Sequence, residues 1–136
     1  MLLSELLKGL NILSDYEDRE ISDVTDKTNK ISEGCAFVCV VGARFDGHSF
    51  AQKAIESGAK AVIVTRDLGL KEQILVENSR EAYAIMCRNL FGNAVAELTV
   101  IGITGTNGKT TTAFVVKDIL KAMGIESGLI GTVKIW

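Results

Sequence analysis

The chain has 136 residues, 47% of them hydrophobic and 24% charged, with a formal net charge of -2. That is enough apolar material for one domain, or one domain plus a piece of another, and it excludes a disordered chain. The absence of a basic excess leaves no electrostatic footprint for nucleic acid or a membrane surface, and neither is expected as a partner.

No apolar run reaches the roughly 18 residues needed to cross a bilayer. The opening segment Met1 to Leu10 carries Glu5 inside its apolar part and has no basic flank, so it reads as an amphipathic helix over Leu2 to Leu10 and not as a leader; the expected compartment is the cytoplasm. The polar stretch from Ser14 to Asp26 holds a short apolar element around Ile21 and Val24, and residues 25–30 are turn chemistry. Ala36 to Val41 is the first convincing strand. It has no polar alternation, so both of its faces are expected to be covered, as in a parallel sheet with helices on either side.

Gly42 to His48 forms a loop at the end of that strand, with Asp46 and Gly47 as the turn signal; Asp46 and His48 are read as shaping the turn. A helix with Phe50, Ala51, Ala54 and Ile55 on one face follows, and Gly58 ends it. Lys60 to Thr65 is a second buried strand and Ile74 to Val76 a shorter third. Asn78 followed by Glu81 resembles a capping box, opening a helix with Ala82, Ile85, Met86 and Leu90 on one face and a stop at Gly92. This order is α/β, and ligands of such sheets bind at loops beyond the carboxyl ends of strands, which marks the Gly42 to His48 loop. Cys35, Cys39 and Cys87 show no metal-ligand or C-x-x-C spacing and are expected as reduced core thiols.

After a linker over 93–97 the chain begins a second α/β unit: a strand over 99–103, a helix from about 109 to 123, Gly124, and a strand over 129–135. Between that strand and helix lies Gly105-Thr-Asn-Gly-Lys-Thr-Thr111. Glycines there allow backbone amides to turn inward, and phosphate oxygens would sit on them at the positive end of the helix. Lys109 would add a mobile charge at the terminal phosphates, and the Thr110 hydroxyl would be a ligand for the magnesium of a nucleoside triphosphate. The generic pattern G-x-x-x-x-G-K-[ST] needs glycine where Ile103 stands. An ordinary strand-to-helix turn with a solvated lysine is the competing reading, and agreement of strand, loop and helix argues against it.

The stretch Gly102 to Thr112, with Gly128-Leu-Ile-Gly-Thr132 after the helix, resembles the ATP-binding segment of the Mur ligases, whose loop is T-G-T-N-G-K-T, matched by Thr104 to Thr110. Folylpolyglutamate synthetases share much of that loop. Gly34 to Phe50, Ala54-Ile55 and Gly58 to Val62 resemble the uridine-nucleotide domain of the Mur ligases that add the third and fourth residues. The opening helix, Ala113-Phe114 and Gly128 to Thr132 favour the E type, which adds the third; the F type is the alternative.

The resemblance implies a UDP-muramoyl-substrate domain over 1–97 and the beginning of an ATP-binding central domain over 98–136. It implies ATP and Mg2+ as cofactors, held by Gly105, Thr106, Asn107, Gly108, Lys109, Thr110 and Thr111, with Lys109 catalytic. UDP-N-acetylmuramoyl dipeptide and a diamino acid are the implied substrates, the first touched by Thr28, Ala43, Arg44 and Phe45. The family's D-S-R pattern falls on Lys27-Thr28-Asn29, where only the hydroxyl survives, and an ordinary turn threonine competes with a uridine contact. For Arg44 a solvated side chain competes with a diphosphate contact.

The implied reaction is amide formation through an acyl phosphate. The further magnesium ligands, a carbamylated lysine and the amino-acid selectivity motif would lie beyond residue 136, so the chain alone is expected to be inactive. A non-catalytic UDP-sugar or nucleotide-binding module is the rival of another class. A different P-loop ligase or kinase acting on folate or on another peptide is a third reading, against which the 34–62 segment argues.

Overall fold

Apolar runs without polar alternation can be buried only if both faces of a strand are covered, and the computed structural model, which describes residues 1–131, has that arrangement. Strands β1 (Val24–Thr25), β2 (Ala36–Val38), β3 (Ala61–Val64) and β4 (Gln73–Leu75) form a parallel sheet in the order β1-β2-β3-β4. Thr25 pairs with Phe37, Phe37 with Val62, and Ile63 with Ile74. The helices are α1 (Leu3–Leu6), α2 (Ala51–Glu56), α3 (Ser79–Leu90) and α4 (Lys109–Ala122), and single 3-10 turns occupy Thr28–Lys30, Gly47–Phe50 and Ala94–Glu97.

The two-residue period of a strand divides the core in two. Ala36, Val38, Ala61, Ile63 and Ile74 turn to one face, where they cluster with Leu3 and Leu6 of α1 and Ala82 and Met86 of α3. Cys35, Phe37, Cys39, Val62 and Val64 turn to the other, with Ala51 and Ala54 of α2. The cysteines are free, and burial pushes the Cys39 thiol up to about 12. At the β4 edge the Leu13 amide donates to the Leu75 carbonyl and the Leu75 amide to Ser14 Oγ, so the chain after α1 covers an edge that would otherwise be open.

Three expectations need correction. The first helix ends at Leu6, not Leu10, because Asn89 Nδ2 on α3 donates to the Leu6 and Lys8 carbonyls at 2.9 and 2.8 Å, and the Leu10 amide turns to Leu7 instead. The β2 ladder ends at Val38. Val41 bridges Asp46 in antiparallel sense and the Gly47 amide donates to Val40, so the last residues of the predicted strand pair with their own loop. Residues 99–103 form no strand, and Val100 and Ile101 are exposed; among the described residues no backbone pairs with them, and an apolar run alone does not make a ladder. Of the predicted strand over 129–135, residues 132–135 lie outside the described residues, as does Thr132 of the Gly128 to Thr132 motif.

The chain divides into two units, Met1–Leu98 and Thr99 onward. In the second, Val115 and Ile119 of α4 and Met123 just after it are exposed.

Candidate functional site

All four strands of the first unit run parallel, so the segments leaving their carboxyl ends emerge on one edge of the sheet. Two candidate segments lie there on neighbouring strands. After β1, Thr25 Oγ1 accepts the Lys27 amide at 3.1 Å and sets the turn into Thr28–Lys30, with Thr28 exposed. After β2, residues 42–48 fold into a tight loop in which the Gly42 amide donates to the Phe45 carbonyl at 2.7 Å and Ala43, Arg44 and Phe45 stand exposed at the tip. The topology therefore brings Thr28 and the Ala43-Arg44-Phe45 tip to one edge. Phe45 packs its ring against Phe50 at 5.0 Å between centroids, which orders the tip on its far side.

Beneath the tip the loop is bonded to the end of β3. Asp46 Oδ1 accepts the His48 amide at 3.0 Å and lies 2.7 Å from His48 Nδ1, while Asp46 Oδ2 accepts from Arg66 Nη2 at 2.7 Å. His48, 4% exposed, takes the Thr65 amide on Nε2 at 3.0 Å. A carboxylate at one ring nitrogen and an amide N–H at the other require the tautomer with the proton on Nδ1. The Arg66 guanidinium first, then the His48 donors, hold the Asp46 carboxyl well below the usual carboxylate range. Arg80, in the first turn of α3, donates to the Val41 carbonyl at 2.9 Å at the other root of the loop. Arg66 and Arg80 were not singled out from the sequence; Arg66 follows the Lys60 to Thr65 run directly, and the same carboxyl-edge rule that marked residues 42–48 points to it.

Gly47 is the loop's steric requirement. A Cβ there would lie 2.9 Å from both Cys39 Cα and Val40 N, closer than backbone atoms can accept. Gly47→Ala is expected to cost about 2 kcal/mol of stability, as overpacking against a backbone that cannot yield; a denaturant midpoint equal to that of the wild type would contradict this.

In the second unit, α4 begins at Lys109 after Gly108, whose φ of +75° suits glycine, and its N-cap has no side-chain acceptor. The first bond of the helix runs from the Thr112 amide to the Gly108 carbonyl, so the amides of Lys109, Thr110 and Thr111 form its positive end. Lys109 Nζ donates back to the Gly105 carbonyl at 2.6 Å and reaches Thr106 O at 3.5 Å. The ammonium thus sits over the loop of residues 105–108. Neutral carbonyls are partners that a charged phosphate oxygen can replace.

This donor set fits a polyphosphate. For a divalent cation the Thr110 hydroxyl is the candidate ligand, an oxygen donor of the kind magnesium takes, and among the described residues no cluster of three His, Cys, Asp or Glu could hold a metal. Among the described residues no helix is long and apolar enough to cross a membrane.

Residues 20–91 match the family described as Mur ligase family, catalytic domain. Over 98% of its length the chain is 47% identical to the UDP-N-acetylmuramoyl-L-alanyl-D-glutamate--2,6-diaminopimelate ligase of Clostridium perfringens, of which it covers 28%. It is 38% identical to the enzyme of the same name from Bacillus velezensis, with 99% of this chain and 28% of that one covered. Among solved structures it resembles MurF ligase from Thermotoga maritima in complex with ADP, at a TM-score of 0.59 and 38% identity over 74% of this chain and 23% of that one. MurF from Acinetobacter baumannii gives a TM-score of 0.64 at 25% identity, over 88% of this chain and 27% of that one. The chain thus spans about a quarter of the length of these relatives.

Proposed function

Because the chain belongs to the Mur ligase family, we propose that it carries the uridine-nucleotide domain and the phosphate loop of a ligase that joins a diamino acid to UDP-N-acetylmuramoyl-L-alanyl-D-glutamate at the cost of ATP. The carrying observation is the 47% identity to a diaminopimelate-adding enzyme across 98% of this chain, which takes in both the sheet-edge loop and the Gly105 to Thr111 segment. The relatives so named add diaminopimelate, which makes it the diamino acid to test first, although the selectivity motif would lie beyond residue 136. The solved structures named above are of F-type enzymes, but their likeness covers less of this chain, so the E-type reading is preferred. The cytoplasm, where such precursors are made, is the proposed compartment.

In this reading the first unit, residues 1–98, holds the UDP end of the substrate. Arg44 meets the diphosphate through charge-assisted hydrogen bonds, Ala43 and Phe45 border the nucleotide, and Thr28 offers a hydroxyl from the neighbouring strand end. In the segment from residue 99, the amides of Gly105 to Thr111 take the phosphate oxygens of ATP. Lys109 moves from the Gly105 carbonyl to the transferring phosphoryl group, where negative charge builds as the substrate carboxylate attacks. The Thr110 hydroxyl would be a ligand for magnesium, which would supply further charge neutralisation. The resulting acyl phosphate is opened by the amino group of the diamino acid, with phosphate leaving.

The test is calorimetric titration of the chain with UDP. The wild type is expected to bind, and Arg44→Ala to bind about tenfold more weakly, the loss of one charge-assisted contact. A wild-type chain that takes no UDP would sink the assignment of the first unit.

A further inference from the structure

The tip residues 43–45 are exposed and belong to a short hairpin, and such a hairpin alone is too weakly held to present a rigid site. Its own closure consists of the Gly42 amide to Phe45 carbonyl bond, the Gly47 amide to Val40 carbonyl bond and the Val41 to Asp46 bridge. Beyond that closure, Arg80 donates to the Val41 carbonyl and Phe45 packs on Phe50, and the side-chain bonds that tie the loop to β3 run through Asp46 and His48 to Thr65 and Arg66. Those partners lie 17 to 20 residues away in sequence, across the whole of α2, at the carboxyl end of the adjacent strand β3.

The bonds divide the labour. His48 is buried and takes the Thr65 amide, so it fixes the depth of the loop against β3. Asp46 is half-buried and has both carboxylate oxygens engaged, one by the His48 amide and ring and one by Arg66, so it fixes the direction in which the chain leaves the tip. Arg66, whose side chain is 55% exposed, reaches Asp46 Oδ2 through Nη2.

The geometry points to Asp46, His48 and Arg66 as a positioning strap that holds Ala43-Arg44-Phe45 in the conformation that meets the diphosphate of a uridine nucleotide. The inference rests on the uridine reading of the first unit. The strap residues act through the tip: their worth is the ordering of a loop that the ligand would otherwise have to order itself on binding.

A double-mutant cycle on the 136-residue chain separates this from direct contact. UDP is titrated into the wild type, Asp46→Ala, Arg66→Ala and the double variant, all at positions exposed enough to be truncated without a cavity. Amide exchange at Gly42 and Gly47 is measured without ligand. Each single variant is expected to weaken UDP binding about tenfold and to speed exchange at both amides, and the double variant to lose no more than either single, because one link is broken in each case. Arg66→Lys, which can still reach Asp46, should recover most of the loss.

Additive losses, about a hundredfold in the double variant, would overturn the strap, since each side chain would then meet the ligand independently. So would either readout staying at its wild-type value in a chain that does bind UDP. A wild type that takes no UDP overturns the uridine reading instead, and the exchange data then stand apart from it.

Discussion

Lys109→Ala is expected to lower the rate of ADP release by about 10³-fold in a complete ligase that carries residues 1–136 in place of the matching segment of the Clostridium perfringens enzyme. The magnitude follows from where the charge is needed. In the free loop the Lys109 ammonium is held at 2.6 Å by a single neutral carbonyl, that of Gly105, with Thr106 O at the limit of contact. Its attraction to a phosphoryl group gaining negative charge is far stronger than to a carbonyl, and strongest as the transfer proceeds, so the loss falls on kcat. About 10³ corresponds to about 4 kcal/mol of transition-state stabilisation.

Lys109→Arg should not rescue the rate, because a planar fork cannot replace a compact ammonium among loop carbonyls at that distance. The KM for the UDP-linked dipeptide should stay within a factor of about three of the parent value, since no contact to that substrate is removed. A kcat within a factor of about three of the parent in Lys109→Ala would remove Lys109 from the chemistry and leave it a loop-closing side chain.

How far the sequence announces these features depends on how local their causes are. The strand β3 (Ala61–Val64) and the helix α3 (Ser79–Leu90) are legible because their signals lie within them or at their ends: an unbroken apolar run, Asn78 as an acceptor for the Arg80 and Glu81 amides, and Gly92 as a stop. The start of α4 at Lys109 is legible for the same reason. The early end of α1 is not, because its cause is Asn89, 83 residues from Leu6. Nor is the fold-back of Val40 and Val41 onto their own loop, since their composition is that of the strand they leave. The site divides similarly. Residues 42–48 are marked by a strand end and a turn signal, whereas Arg66 gains meaning only when parallel pairing sets the end of β3 beside the end of β2. The run at 99–103 shows the converse: an apolar pattern specifies what a segment can do if paired, and pairing is not encoded in the segment.

The larger stability effect is expected in the first unit, at Phe37. It is the middle residue of β2, fully buried, in register with Thr25 on one side and Val62 on the other, and its ring belongs to the face shared with Cys35, Cys39, Ala51, Ala54, Val62 and Val64. It is the bulkiest fully buried side chain of the protein's described residues. The buried neighbours named are small or β-branched, while the larger side chains of Phe50, Ile55, Leu68, Leu70 and Leu75 pack against the cluster from partly exposed positions. Phe37→Ala loses the transfer energy of the ring and leaves a cavity that those side chains, anchored at the rim, fill only in part, a cost of about 4 kcal/mol. Against the roughly 5 to 15 kcal/mol that holds a domain of this size, that leaves the unit close to its unfolding threshold.

Amide exchange at Ala61 to Val64, the partner strand, reports on this unit alone and is expected to quicken about 10³-fold in Phe37→Ala. Phe45→Ala is the control: the same ring is removed from a site 43% exposed, and exchange in β3 should change by less than about tenfold. If the two variants accelerated exchange equally, the ring of Phe37 would not be what joins α2 to the sheet, and the second half of the core would have to rest on Val62 and Val64 alone.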